Sequence, residues 1–302
     1  MSDKFFALRS HYVASRLTRM KKKIIKIGLV QMRMSEDQNK NLLRAISFVE
    51  KAAKKGAKII CLPELYRTLY FPQQKSDKNT YAETIPGIST DAFAPLAKKY
   101  GVVIIVPIYE KTKNGHYHNS AVVIDERGRL LPTYRKIHIP HDPLFYEKNY
   151  FEGGETYRVY KTKFAQFAVL ICYDQWFPEA ARAVSLLGAE IIFYPTAIGR
   201  IIPRREKDND WADAWETVMR GHGIANAVHI ATVNRVGEED RLKFWGSSFI
   251  ADSFGVMLGK ASNTDEEVLI REVDLNRNKV IREGWGFFHN RQPSTYRFLK
   301  KK

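Results

Sequence analysis

The stretch Phe167-Ala168-Val169-Leu170-Ile171-Cys172-Tyr173-Asp174-Gln175-Trp176-Phe177-Pro178 decides how the chain is read. Five apolar residues in a row predict a buried strand. Pro178, favoured in a first helical turn, opens a helix through Ala180, Ala183, Val184 and Leu187 to Gly188. Cys172 therefore closes a strand just before a turn and a helix. A thiol there can reach a cleft, and the amide of Tyr173 behind it is free to hydrogen-bond a developing oxyanion. A free cysteine is more often a small buried apolar residue, so position alone leaves both readings open.

Outward from this stretch, short runs rich in Ile and Val alternate with longer segments of helical period, the pattern of a layered α/β protein. Upstream, the spacing predicts a strand over Ile25 to Gln31 and a helix ending near Gly56, with Ser35 and Gln38 as its capping box. A second strand, Lys58 to Leu62, is followed by a helix from about Thr90 to Tyr100 and a strand from Val102 to Tyr109. Asn119 to Ile124 and Leu130 to Tyr134 flank a turn as an antiparallel hairpin, so the sheet is mixed. A long aromatic loop follows from Arg135 to Glu155, and loops of that length inside a compact domain are usually functional. Downstream come a strand over Glu190 to Tyr194, a charged loop from Arg200 to Asp210, a helix from Trp211 to Ala227, and strands over His229 to Asn234 and Phe244 to Asp252. No repeat or low-complexity linker interrupts them, so residues 24–302 read as one domain behind a basic extension, residues 1–23.

Two further side chains lie where open α/β sheets place their ligands, at strand ends. Glu64, in Leu62-Pro63-Glu64-Leu65-Tyr66, follows the second strand, and a carboxylate in a semi-apolar crevice can serve as a general base near neutral pH. Lys136, in Tyr134-Arg135-Lys136-Ile137-His138, follows the hairpin, where its ammonium could stabilise an oxyanion and favour a thiolate at Cys172. Taken singly, a loop glutamate and a solvated lysine are the commoner readings. Glu, Lys and Cys each closing a strand form a rarer constellation.

That constellation resembles the nitrilase, or carbon-nitrogen hydrolase, superfamily over about Ile24 to Leu299. The resemblance implies a Glu64-Lys136-Cys172 centre and a second glutamate that orients the lysine, Glu147 in Phe145-Tyr146-Glu147-Lys148. It also implies a four-layer αββα sandwich with mixed sheets that pair across a dimer, a homodimer or larger assembly, and no cofactor. Cys172 through Arg182, Tyr194-Pro195-Thr196-Ala197-Ile198-Gly199 and Trp285-Gly286-Phe287-Phe288 resemble a branch that acts on carbamoyl amines. On that likeness Tyr66, Tyr146, Asp174, Trp176, Thr196 and Ala197 are candidate substrate contacts, with Glu206 and Asp208 as further acids for a cationic end. Arg200-Ile201-Ile202 departs from the branch. An arginine aimed inward would repel an amine, so a cationic substrate requires Arg200 to face away, and an acidic substrate would make it an anchor.

Bulk properties narrow the remaining classes. The formal charge is +16, but residues 1–23 carry a net +6 and the last six residues +4, so the long body holds only +6. That is an ordinary solvated surface and does not predict a nucleic-acid partner. No apolar run is long enough for a membrane span, no signal-peptide pattern opens the chain, and two cysteines make no disulfide framework, so the expected compartment is the cytoplasm. His138 and His141 lack a third ligand at a recognisable spacing and read as hydrogen-bonding residues, with no metal expected. Cys61 reads as core, and Trp211 with Trp215 as one apolar helix face. A silent binding protein on this fold would lack a central residue, and none is missing.

Overall fold

The computed structural model describes residues 23–76, 80–203 and 211–300. The basic extension before residue 23, and the acids Glu206 and Asp208, lie outside the described residues.

The first half forms β1 (Ile24–Gln31), α1 (Gln38–Lys54), β2 (Ile59–Cys61), α2 (Ile88–Tyr100), β3 (Val103–Lys111), β4 (Tyr117–Ile124) and β5 (Tyr134–Arg135). The second half forms β6 (Val159–Lys161), β7 (Gln166–Val169), α3 (Pro178–Leu186), β8 (Ile191–Pro195), β9 (Gly199–Ile201), α4 (Trp211–Asn226) and β10 (His229–Val233). The chain continues through β11 (Val236–Glu239), β12 (Leu242–Trp245), β13 (Phe249–Ala251), β14 (Met257–Lys260), β15 (Glu267–Asp274) and α5 (Asn276–Trp285).

Two six-stranded sheets result, in the orders β15-β1-β2-β3-β4-β5 and β14-β13-β10-β8-β7-β6. Each has three parallel central strands, β1-β2-β3 and β7-β8-β10, with antiparallel strands outside them. The period of two along the strands assigns the faces. Ile27, Leu29, Ile59, Cys61, Val103 and Ile105 join the core shared with the second sheet. Val30, Ile60, Ile104 and Val106 turn the other way, onto Ala45, Val49 and Ala52 of α1 and Phe93 and Ala97 of α2. Ala180 and Val184 of α3 and Trp215 and Met219 of α4 pack on the second sheet. The two sheets thus share one core within a single chain, and the αββα sandwich is formed by its own helices and sheets.

Local chemistry accounts for most differences from the sequence reading. Helix α1 is capped by Asp37, whose Oδ1 accepts from the amides of Asn39 (2.9 Å) and Lys40 (3.0 Å). Ser35 lies two residues too early to do this and instead meets Asn41. The expected strand Phe244 to Asp252 breaks at Gly246 and Ser247, both left-handed (φ 57° and 55°), so β12 and β13 belong to different sheets. Part of the expected charged loop is strand: β9 joins β12 and β11 in a three-stranded sheet. Trp211 and Trp215 do not share an environment, since Trp215 is buried with its indole N–H on Gln175 Oε1 (2.9 Å) while Trp211 is exposed.

Candidate active site

The backbone that presents the site is held in unusual conformations. Leu65, after the candidate base, and Cys172 itself are non-glycine residues with positive φ, 50° and 44°. Such conformations persist only where the surroundings over-determine them. Cys172 opens a 3-10 turn over Cys172–Trp176 directly after β7, so the Tyr173 amide is in a first turn, where donors lack partners within the helix.

Glu64, Lys136 and Glu147 are brought together with no solvent exposure. The Lys136 ammonium donates to Glu64 Oε1 (2.9 Å) and Glu147 Oε2 (2.6 Å). Glu64 is held on both oxygens, by Asn119 Nδ2 on Oε1 (2.7 Å) and by the Ala197 amide on Oε2 (2.8 Å). The Cys172 Sγ approaches the Ala197 carbonyl at 4.0 Å, so Ala197 links base and sulfur. Glu147 sits in the 3-10 turn Glu147–Asn149 within the long loop, and its Oε1 accepts from the Tyr70 hydroxyl (2.7 Å). Ala197 follows β8, so the centre draws on the carboxyl ends of β2, β7 and β8, where an open α/β sheet forms its crevice.

Burial sets the electrostatics. Desolvation alone would lower the Lys136 pKa, but the Glu147 and Glu64 carboxylates more than reverse this, and the ammonium is held above its ordinary range. Burial pushes the Glu147 carboxyl up against the pull of Lys136. Burial, seconded by the Glu64 charge, also pushes the Cys172 thiol well up, and Lys136 offsets only part of that. Burial and the Glu64 charge thus oppose ionisation of the Cys172 thiol, against the pull of the nearby lysine.

The remaining candidates divide. Ala197 belongs to the centre. Thr196, buried beside it, gives its hydroxyl to the Tyr194 carbonyl (3.1 Å) and Gln175 Oε1 (3.3 Å). Asp174 is buried and fully engaged: Oδ2 accepts from Tyr134 (2.7 Å) and the Ile171 amide (2.9 Å), and Oδ1 from the amide (3.0 Å) and ring (2.7 Å) of His138. It ties the cysteine turn to the lysine segment and has no oxygen left for a substrate. Tyr66 is buried in the outer layer, its hydroxyl on Ser89 Oγ (2.7 Å) and its ring edge-on to Phe93, away from the centre. Trp176 and Tyr146 are half-buried, Tyr146 beneath Lys75 and against His141. His138 stacks on Phe177 at 3.7 Å and serves the Asp174 network.

Arg200 lies on β9 opposite Lys243 and through it Glu238, on the exposed face of the small sheet. The other face carries Leu242 and Phe244, which pack with Tyr70 and Ala197. Arg200 therefore faces away from the Glu64–Lys136–Glu147 cluster.

Sequence reading missed Asn119, Tyr70, Arg235 and Gln175. Asn119 and Arg235 left a signal, as polar residues within or directly after apolar strands. Tyr70, in an aromatic loop, left none.

Comparison with known proteins shows the family. The carbon-nitrogen hydrolase family model matches residues 26–283, and the chain belongs to that family; it is an enzyme of the carbon-nitrogen hydrolase class. It is 41% identical to a Solanum lycopersicum protein named N-carbamoylputrescine amidase, over 92% of this chain and 96% of that one. It is 38% identical to a Francisella tularensis protein named citrullinase, over 92% and 99% of the two chains. Among solved structures, a carbon-nitrogen hydrolase from Helicobacter pylori G27 superposes with a TM-score of 0.88 at 37% identity, covering 92% of this chain and 99% of that one.

Proposed function

We propose that this enzyme hydrolyses N-carbamoylputrescine to putrescine, ammonia and carbon dioxide through a thiocarbamate on Cys172. The observation that carries the reading is the closed Glu64–Lys136–Glu147 cluster beside a strand-end thiol. Glu64 takes the thiol proton as sulfur attacks the ureido carbon. Lys136 and the Tyr173 amide hold the oxyanion, and Glu64 returns the proton to departing ammonia. Glu64 then activates a water, which cleaves the thiocarbamate and restores the thiol, and the released carbamate loses carbon dioxide to leave the amine. Glu147 keeps Lys136 in place throughout. The steps at Cys172 are proton transfers and acyl transfers, carbon dioxide being lost from the carbamate after release, and none calls on a cofactor.

The solvent-facing Arg200 supports a cationic substrate, since its guanidinium then does not oppose the distal ammonium. Of the candidate contacts, Trp176 keeps partly exposed aromatic surface that an ammonium can approach, whereas the Tyr146 ring already carries the Lys75 ammonium. The name of the Francisella relative favours citrulline as a second reading, because citrulline carries the same terminal ureido group and differs by an α-carboxylate. Substrates such as 3-ureidopropionate or a dicarboxylic monoamide would use the same centre but lose Arg200 as their anchor.

The reaction belongs to polyamine biosynthesis, and the two free thiols, Cys61 and Cys172, suit the reducing cytoplasm. Among the described residues no helix is long and apolar enough to cross a membrane. Exposed Leu187, Phe298 and Leu299 give the α3 and C-terminal surface an apolar character suited to self-association; sedimentation as a monomer at micromolar concentration would refute that part.

The test is ammonia release by purified enzyme from N-carbamoylputrescine, citrulline and 3-ureidopropionate in parallel, with Cys172→Ala as blank. Release chiefly from the first supports the proposal. Release chiefly from citrulline or the ureido acid keeps the mechanism and overturns the substrate.

A further inference from the structure

The Lys136 ammonium is positioned by two carboxylates, and those carboxylates must themselves be fixed. Glu64 is fixed by Asn119 and the Ala197 amide. Glu147 lies in a loop turn, and the Tyr70 hydroxyl on its Oε1 is the donor opposite the lysine. Tyr70 is in turn held by an assembly that the chemistry of the centre does not use. Its ring packs against Phe145 (5.7 Å) and edge-on to Phe244 (5.9 Å). Its amide donates to Glu239 Oε2 (2.6 Å).

Glu239 pairs with Arg235, whose Nη1 reaches both carboxylate oxygens (2.9 and 3.0 Å). The Arg235 guanidinium lies 5.3 Å from the Phe244 ring centre, and its Nη2 donates to the carbonyls of Glu64 (2.7 Å) and Leu65 (3.0 Å). Nη1 also reaches the Thr68 carbonyl (3.1 Å). One buried guanidinium thus holds the start of the segment from Glu64 to Tyr70 directly, and its end through Glu239. A buried ion pair is a poor device for stability, because desolvation consumes much of its Coulomb energy. It is a good device for fixing geometry, and here it fixes the left-handed turn at Leu65 and the residues on either side.

We propose that Tyr70, anchored by the buried Arg235–Glu239 pair, is a positioning residue of the catalytic centre, which holds Glu147 against Lys136 through its hydroxyl. The proposal rests on the reading of Glu64, Lys136, Glu147 and Cys172 as that centre. The charged and titratable groups facing Glu147 are Lys136, Glu64, Tyr70 and Cys172. Lys136 and the Tyr70 hydrogen bond favour its ionised form, while burial and Glu64 oppose it. Removing the hydroxyl takes away one of the two supports, so Glu147 protonates at higher pH and releases its hold on Lys136. A residue that served packing alone would change stability without moving that titration.

The experiment compares wild type with Tyr70→Phe, which keeps the packed ring, and with Glu239→Gln, which keeps an acceptor for the Tyr70 amide. For each, kcat and KM for the best ureido substrate are measured across pH, with thermal melting as the control for folding. The expected result for Tyr70→Phe is a folded enzyme with kcat down about 10- to 100-fold, KM within about threefold, and the acid limb of kcat/KM moved to higher pH. Glu239→Gln is expected to move the same limb in the same direction by less. A folded Tyr70→Phe enzyme with the wild-type profile overturns the proposal if Glu147→Gln is inactive. Full activity of Glu147→Gln would instead overturn the reading of the centre on which the proposal rests.

Discussion

At the residue scale, the chemistry turns on which group holds the proton before substrate arrives. Lys136 beside Cys172 suggests a stabilised thiolate, but the thiol is buried next to two carboxylates, and desolvation, seconded by Glu64, pushes its pKa up. Free enzyme should therefore alkylate slowly with iodoacetamide at Cys172. The rate should rise about tenfold per pH unit from about pH 6 to 9 without levelling, because the thiolate is the reactive form. A rate that levels off below about pH 7 would mean a preformed thiolate and remove the need for Glu64 as the base. Glu64 and Cys172 were legible because each follows an apolar strand, whereas Lys136 follows only the two-residue strand Tyr134–Arg135 and stood out through the family likeness. Their partners were less so: Asn119 lies within the polar run His118-Asn119-Ser120 at the start of a strand, and nothing in the chain order relates Tyr70 to Glu147, 77 residues away.

At the element scale, the small sheet of β11, β12 and β9 decides how Arg200 is presented. Alternation along its strands sends Leu242 and Phe244 inward and Arg200, Lys243 and Glu238 outward. Arg200→Ala should therefore change KM for N-carbamoylputrescine by less than about twofold, the effect of losing an exposed charge screened by solvent. A fall in KM of tenfold or more would show that Arg200 opposes the substrate after all.

This sheet was not legible in advance. Gly199-Arg200-Ile201 is too short for a pattern, and its place is fixed by pairing with a hairpin some forty residues on. The strand that runs past Gly246 and Ser247 in sequence is likewise cut by two left-handed residues, only one of which is a glycine. Central strands and helices were legible because their apolar period is long, and a parallel strand buried on both faces reads as a continuous apolar run.

His229, at the start of β10, shows what burial costs at this scale. Desolvation pushes its imidazole down to about 4, against the attraction of Asp252 and Asp274 and with the repulsion of Arg277. The unfolded chain takes up this proton near pH 6.5 while the folded one resists it. Stability from this group is therefore lost as pH falls from about 6.5 toward 4, by about 1.4 kcal/mol per pH unit. His229→Gln should flatten the melting temperature over that window, as followed by circular dichroism. An unchanged acid slope would place the loss on other groups.

At the scale of the whole molecule, two sheets of similar construction face each other, and each sends the carboxyl ends of its parallel strands toward one crevice. The first supplies Glu64 and, through its hairpin, Asn119 and Lys136; the second supplies Cys172 and Ala197. Chemistry at their junction depends on the sandwich closing correctly, which explains why ties such as Asp174 to Tyr134 and Arg235 to the Glu64 carbonyl are buried. The sandwich itself was legible only through family likeness, because face-to-face packing of sheets leaves no local period. Its completion within a single chain had to be seen.

The most direct test of the account is the mass of the Cys172 peptide after acid quench during turnover of N-carbamoylputrescine. The account predicts an adduct on Cys172 equal to substrate less ammonia, present at steady state, lost on exhaustion of substrate, and absent from Cys61. An adduct on a different side chain, or continued ammonia release by Cys172→Ala, would contradict it.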